Sequence, residues 1–239
     1  SHLLGPHVPF DAEILLLQPP LLEMRGSGCS VDGVTQLLVS LLNTLVERPA
    51  ILIGNSFGGH VALRIALAHP RLVRGLVLVG SSGLFERGFE KDVTHNPSYE
   101  YLDRKIREVF YDPSSMLPGM TELALDALSR RTSARAMVRL GKSAKRDHLG
   151  EELHLVKCPT LVAWGRQDNV TPPEVAEQFA KLIPNSRLCW TDRCGHAPHI
   201  EHPAKLAADI QCFVSDVLTG QFVSDKQVAK PRNSGQGVA

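Results

Sequence analysis

Residues 51–60 read Ile51-Leu52-Ile53-Gly54-Asn55-Ser56-Phe57-Gly58-Gly59-His60. Three apolar residues run into a serine set among glycines, and an apolar run with helical character follows. A chain that turns sharply from strand to helix there strains the serine backbone and lifts its hydroxyl above the sheet edge. Side chains two residues to either side would crowd the turn, which calls for small residues at Gly54 and Gly58. Gly59 suits a helix that sits close to the sheet. The turn also aims the Phe57 N–H, at the helix N-terminus, into the space beside the hydroxyl, where it can serve as one oxyanion donor. Gly54-Asn55-Ser56-Phe57-Gly58 is a G-x-S-x-G match. Alone it is weak; a strand before it and a helix after it give it meaning.

The alternation extends in both directions. Ile14-Leu15-Leu16-Leu17 reads as a short buried strand, closed by Gln18-Pro19-Pro20. Val34, Leu37, Leu38, Leu41, Leu42 and Leu45 recur at helical spacing and predict a helix over 31–46. Strands over 50–53 and 76–79 flank a helix over 57–68 that stops near His69-Pro70. From 84 to about 156 the sequence is helical but irregular, punctuated by Pro97, Pro113 and Pro118, with no convincing strand. Alternation then resumes with a strand at 160–164, a helix at 173–182, a strand at 187–191 and a helix at 203–218. The fold class is α/β: a mostly parallel central sheet with helices on both faces. Residues 1–83 and 157–219 form the core, and 84–156 form an insertion between two strands of one sheet. The polar, Gly/Pro/Ser-containing stretch 220–239 reads as a disordered tail.

Composition narrows the function classes. The 239 residues are 43% hydrophobic, ordinary for one globular domain. Twenty-six basic against 25 acidic residues give a net charge of +1, which argues against nucleic acid or an anionic membrane as partner. The basic cluster Lys142-Ser143-Ala144-Lys145-Arg146 reads as a solvated helix face. Cys29, Cys158, Cys189, Cys194 and Cys212 are odd in number and lack C-x-x-C spacing, which fits reduced thiols in a cytoplasm better than zinc or a disulfide framework. No apolar run approaches the roughly 18 residues of a membrane span.

A serine is a poor nucleophile near neutral pH without a base. His196, in Arg193-Cys194-Gly195-His196-Ala197-Pro198, follows the 187–191 strand and can take that role. Asp168, just past the 160–164 strand, can fix the imidazole tautomer and stabilise its protonated form. In a parallel sheet the loops after strands open on one edge, so Ser56, Asp168 and His196 converge there. Asp192 is a rival acid, too close to His196 in sequence to reach its Nδ1 easily. His199 and His202 read as surface or packing residues and His60 as structural. No metal-ligand spacing links the histidines, so neither metal nor organic cofactor is expected.

The sequence resembles the α/β-hydrolase superfamily over about 14–218. The resemblance rests on Arg25-Gly26-Ser27-Gly28-Cys29-Ser30, on Ile53 through Leu63, on Gly75 through Gly83, on Pro159 through Pro172 and on Cys194 through Pro203. It implies that 84–156 is a helical cap roofing the site. It also implies a Ser56–His196–Asp168 triad with Phe57 in the oxyanion hole. Asn55 and the Cys-Gly-His tail are most similar to the branch that holds meta-cleavage-product hydrolases, which split carbon–carbon bonds, and small-molecule esterases. In the former a tryptophan typically follows the histidine. Ala197 stands there, which tilts the reading to small acyl substrates such as carboxylic esters. The carbon–carbon alternative requires a cap cation for a substrate carboxylate, with Arg104, Arg107 and Arg139 available. A proline iminopeptidase and a non-catalytic binding protein of the same fold are further alternatives. Asn55, Phe85, Tyr101 and Ala197 are the candidate substrate contacts; Phe89, Tyr99, Phe110 and Tyr111 are further cap aromatics that can wall a pocket or pack the cap.

The resemblance also implies a hairpin, a strand and a His-Gly loop before Ile14, a length of roughly 40 residues. Thirteen residues precede Ile14, with Ser1-His2-Leu3-Leu4-Gly5 as a conceivable remnant of that loop. The expectation is a chain lacking its N-terminal strands, one of which belongs between the 14–17 run and the 50–53 strand.

Overall fold

The computed structural model describes residues 14–17, 19–21, 23–85 and 97–228. In chain order the elements are α1 (Val31–Leu45), β1 (Ala50–Asn55), α2 (Phe57–Ala68), β2 (Val73–Val79), α3 (Tyr99–Arg107), α4 (Met120–Ser129), α5 (Arg131–Arg146), β3 (Thr160–Gly165), α6 (Pro173–Leu182), β4 (Ser186–Thr191), α7 (Pro198–Glu201), α8 (Pro203–Thr219) and α9 (Asp225–Val228). The four strands form one parallel sheet in the order β1-β2-β3-β4.

Strand periodicity sorts side chains between two cores. Leu76 and Leu78 of β2 and Val162 and Trp164 of β3 point into a core closed by α1, α2 and α6. Val77, Val79, Leu161 and Ala163 point the other way, onto Leu206, Ile210, Phe213 and Val217 of α8. Covered on both faces, β2 and β3 read as continuous apolar runs. Full burial of side chains such as Leu63, Leu76, Phe179 and Phe213 contributes roughly 1.5–3 kcal/mol each. The helix starts follow side-chain chemistry: Ser30 accepts the Gly33 N–H at the head of α1, and Ser98 accepts the Tyr101 N–H at the head of α3.

Two expectations need correction. Ile14, Leu15 and Leu16 are exposed, Leu16 at 83%, and residues 14–17 join no strand. An apolar run becomes a strand only by pairing, and among the described residues it meets no partner. Residues 221–228, assigned to a disordered tail, are folded against β4. Asp225 accepts the Leu188 N–H at 2.8 Å, Lys226 donates to the Lys181 and Ile183 carbonyls, and Phe222 stands edge-on to Phe213. A few specific bonds to an edge strand outweighed polar composition. Residues 229–239 lie outside the described residues.

Between β2 and β3 the described residues hold α3, α4 and α5. The excursion leaves and returns through one contact: Leu149 N–H donates to the Gly83 carbonyl at 2.8 Å. Gly83 has φ +116, and a Cβ there would come 3.0 Å from Leu149 Cδ1, so the crossing suits glycine alone. The return is fastened to α2, where Arg64 pairs with Asp147 and with Glu152, and buried His60 meets Asp147 at 3.0 Å through Nε2. No helix among the described residues is long and apolar enough to cross a membrane.

Candidate active site

Because the strands are parallel, the chain leaves all four at one edge, and Ser56, Gly80, Asp168 and His196 follow β1 to β4 in turn. Ser56 has φ 51 and ψ −119, a strained conformation for a non-glycine residue. Its surroundings enforce it. The Ser56 N–H donates to the Val79 carbonyl at 3.0 Å, and its own carbonyl accepts from Gly59, His60 and Ser82. Gly54 is sterically required, since a Cβ would lie 2.4 Å from the Gly58 carbonyl. Gly59 lets α2 settle on the sheet, where a Cβ would strike Ser81 Oγ at 2.4 Å. Gly58 is different: a Cβ there meets nothing within 4 Å, so the crowding expected at this position is absent among the described residues.

Asp168 is 1% exposed and its carboxylate is fully engaged. One oxygen accepts the Val170 and Thr171 N–H groups at 2.8 and 2.9 Å; the other faces His196 Nδ1 at 2.8 Å and Thr171 Oγ1 at 2.9 Å. An ionised acceptor satisfies all of these contacts. An Nδ1–H donated to Asp168 leaves the Nε2 lone pair free to act as a base. His196 is 7% exposed; its N–H donates to the Val109 carbonyl at 2.8 Å. Asp192 pairs with Arg166 on the surface instead, which removes it as the acid.

Asn55, expected as a substrate contact, makes two main-chain bonds. Its amide donates to the Val79 carbonyl at 3.0 Å and to the His196 carbonyl at 3.3 Å, fastening the residue before Ser56 to the histidine loop. Ser56 Oγ has no hydrogen-bond partner among the described residues; serine–histidine contacts commonly tighten only around substrate. Phe57 opens α2, so its N–H has no acceptor within the helix.

The other expected contacts scatter. Ala197 is 3% exposed beside His196, whereas Phe85 is 58% exposed and not enclosed by described residues. Tyr101 is half-buried, and its hydroxyl lacks a partner among the described residues. Tyr99 bonds to Glu122, Phe110 is buried and Tyr111 is exposed. Of the three arginines, Arg107 is spent on Asp103, Arg104 lies over the Tyr101 ring and Arg139 is exposed on α5. Phe89 and the 1–5 remnant lie outside the described residues.

Two residues escaped the sequence reading. Thr171 presents its hydroxyl to Asp168, to the Gly80 carbonyl at 3.2 Å and to His196 Nδ1 at 3.2 Å. Gly80, at φ +50, makes room for the pair: a Cβ would sit 3.0 Å from His196 Nδ1 and 3.2 Å from Asp168 Oδ2. An acid three residues before a threonine is a turn signal that could have flagged Thr171; Gly80 carries no local signal. Nearby, burial and then the His196 charge lower the His199 pKa, while burial and then Glu201 push the Cys194 thiol up to about 12, leaving it inert.

Comparison with known proteins bears on the fold and the family. The sequence profile of the alpha/beta hydrolase family matches residues 19–209. A 2-hydroxy-6-oxononadienedioate/2-hydroxy-6-oxononatrienedioate hydrolase of Cupriavidus pinatubonensis is 34% identical over 74% of this chain and 65% of its own length. A 2-hydroxymuconate semialdehyde hydrolase of Pseudomonas putida is 30% identical over 84% of this chain and 77% of its own. The crystal structure of an alpha/beta hydrolase enzyme from a sediment metagenome of the Mar Chica lagoon, Morocco, superposes with a TM-score of 0.63 at 32% identity, covering 82% of this chain and 75% of that one. The chain thus spans 65% of the length of its Cupriavidus relative.

Proposed function

Because the chain belongs to the alpha/beta hydrolase family, we propose that it acts as a serine hydrolase, with Ser56 as nucleophile, His196 as general base and acid, and Asp168 as orienting carboxylate. The observation that carries this reading is the Asp168–His196 bond of 2.8 Å, held at the sheet edge where the strained Ser56 elbow emerges. His196 Nε2 takes the Ser56 proton as Oγ attacks a carbonyl carbon, and the Phe57 N–H stabilises the oxyanion. Collapse expels the leaving group, which regains that proton. Water activated by the same histidine then releases the acid and restores Ser56. Helices α3 to α5 serve as the cap.

The substrate class is a small vinylogous diketo acid, cleaved at the carbon–carbon bond beside its ketone. The leaving carbon departs as a stabilised dienolate and is protonated. The named activities of the relatives support this over the ester reading first favoured on Ala197. Ester cleavage stays as the second reading, since Ala197 leaves the position after the histidine small. The five thiols, all free, support a cytoplasmic setting.

A direct test compares turnover of a ring-cleavage dienoic acid with that of a short p-nitrophenyl ester by wild type and Ser56→Ala. The dienoic acid is expected to be the better substrate, and Ser56→Ala to lower its turnover by about 10⁶-fold without altering the circular dichroism spectrum. A folded Ser56→Ala variant with wild-type turnover overturns the nucleophile, and faster ester cleavage replaces the substrate class.

A further inference from the structure

Glu201 holds two separate pieces of chain at once. It lies at the end of α7, five residues after His196. One carboxylate oxygen accepts the Gly195 N–H at 2.7 Å and faces Cys194 Sγ at 3.7 Å. These contacts close the histidine loop on itself. The other oxygen accepts the Tyr111 N–H at 2.8 Å and the Asp112 N–H at 3.3 Å, across 90 and 89 residues of sequence. Tyr111 and Asp112 sit just beyond α3, in the segment between β2 and β3.

Two further contacts join the same pair of segments. The His196 N–H donates to the Val109 carbonyl at 2.8 Å. Gly195 is pressed so closely that a Cβ would lie 2.5 Å from the Val109 carbonyl oxygen and 2.7 Å from the Tyr111 nitrogen. Residues 109–112 thus form a shelf under the histidine loop, and Glu201 is the side chain that bonds both sides of the junction. Main-chain N–H groups aimed at a carboxylate make strong, directional bonds. The His196 backbone is accordingly fixed by three anchors: Asn55 on its carbonyl, Val109 on its N–H, and Glu201 on the preceding residue.

We propose that Glu201 is a positioning residue, one that locks the histidine loop to the exit of α3 and makes the placement of His196 depend on how that helical segment is seated. The inference rests on the reading of His196 as general base. It adds that the segment above the site acts on the base from behind, through main-chain bonds, besides any contact it makes with substrate.

Glu201→Gln in the full chain tests this. Glutamine keeps the shape but has one carbonyl oxygen, so on one side its NH₂ must face main-chain donors. In the wild type, Gly195, His196, Tyr111 and Asp112 are expected to exchange their amide hydrogens as one protected group. In the variant they should be released together, at least tenfold faster. Fluorophosphonate labelling of Ser56 needs the base but no identified substrate, and should slow by about 10- to 100-fold. With a turned-over substrate, kcat per folded enzyme should fall while KM stays near constant; counting only folded protein removes the part that lost stability would contribute. Should Glu201→Gln fail to fold, Gly195→Ala drives the shelf off the loop with Glu201 intact, and the same joint release is expected. Unchanged protection at Tyr111 and Asp112, or wild-type labelling in a folded variant, overturns the proposal. Wild-type protein that never labels at Ser56 defeats the hydrolase reading instead, and the exchange data then still decide whether Glu201 is the lock.

Discussion

The two outer strands of this sheet carry opposite finishes. On β4, Asp225 accepts a main-chain donor from the strand, Arg187 pairs with Asp216 and lies over the Phe222 ring, and α9 lies alongside. On β1, among the described residues, the sole partner is β2, and Ile53 stands 47% exposed on the face that α8 covers elsewhere. The acid and base follow β3 and β4, on the finished side; the nucleophile follows β1. An elbow can keep its shape on a half-covered strand because its constraints are local and come from its inner side: Val79, Ser82 and the opening of α2. A bonded acid–base pair such as Asp168 and His196 joins two distant segments and needs a buried, fully bonded setting.

Apart from loss of the nucleophile itself, the largest effect is expected on the finished side. Asp168→Asn preserves shape but favours the wrong histidine tautomer, and should lower kcat by about 10⁴-fold; a near-normal kcat would show that burial around His196 suffices. The next concerns α2, behind the open side. Burial holds the His60 pKa below its ordinary 6.5, although Asp147 pulls upward. The unfolded chain therefore binds a proton that the folded chain resists. The stability tied to neutral His60 is full above pH 6.5 and is lost as pH falls from there toward the lowered value. Urea midpoints taken from pH 7.5 down to 5.5 should slope downward in wild type and less so in His60→Gln; equal slopes would detach His60 from acid sensitivity. The smallest pair compares the edges themselves. Asp225→Ala should cost about 1 kcal/mol by leaving the Leu188 N–H without its partner, against about 0.5 kcal/mol or less for Ile53→Ala on an exposed position. Matching losses would mean that the two edges are equally loaded.

What could be read from the sequence was what is written locally. The elbow needs only Gly54, Ser56 and the turn into α2, and α2 and α6 announce themselves by their start and stop residues. The presence of the four sheet strands followed from apolar runs, although β2 begins at Val73, three residues before the run read at 76–79, and β1 runs two residues past 53. Features that depend on a distant partner were illegible. Thr171 matters because Gly80 and His196 lie against it, Asn55 because its amide reaches a carbonyl 141 residues away, and Glu201 because Tyr111 does. Residues 14–17 mislead in the reverse sense, since their composition says strand and composition cannot supply a neighbour. The fold of 221–228 was hidden by polar residues whose partners, Leu188 and Lys181, sit on other elements.

The bond between Leu149 and Gly83 carries a consequence for how such a chain can vary. A detour whose two ends already touch adds almost no closure penalty when it lengthens or shortens, because that penalty grows only with the logarithm of loop length. The barrel of chemistry at the strand ends and the roof above it can therefore diverge at different speeds. Helices may be traded, resized or reshaped between these two residues while the register of β2 and β3 stays as it is. In the language of assembly, the hinge pair is a graft junction, and selectivity can be re-cut there without reopening the sheet.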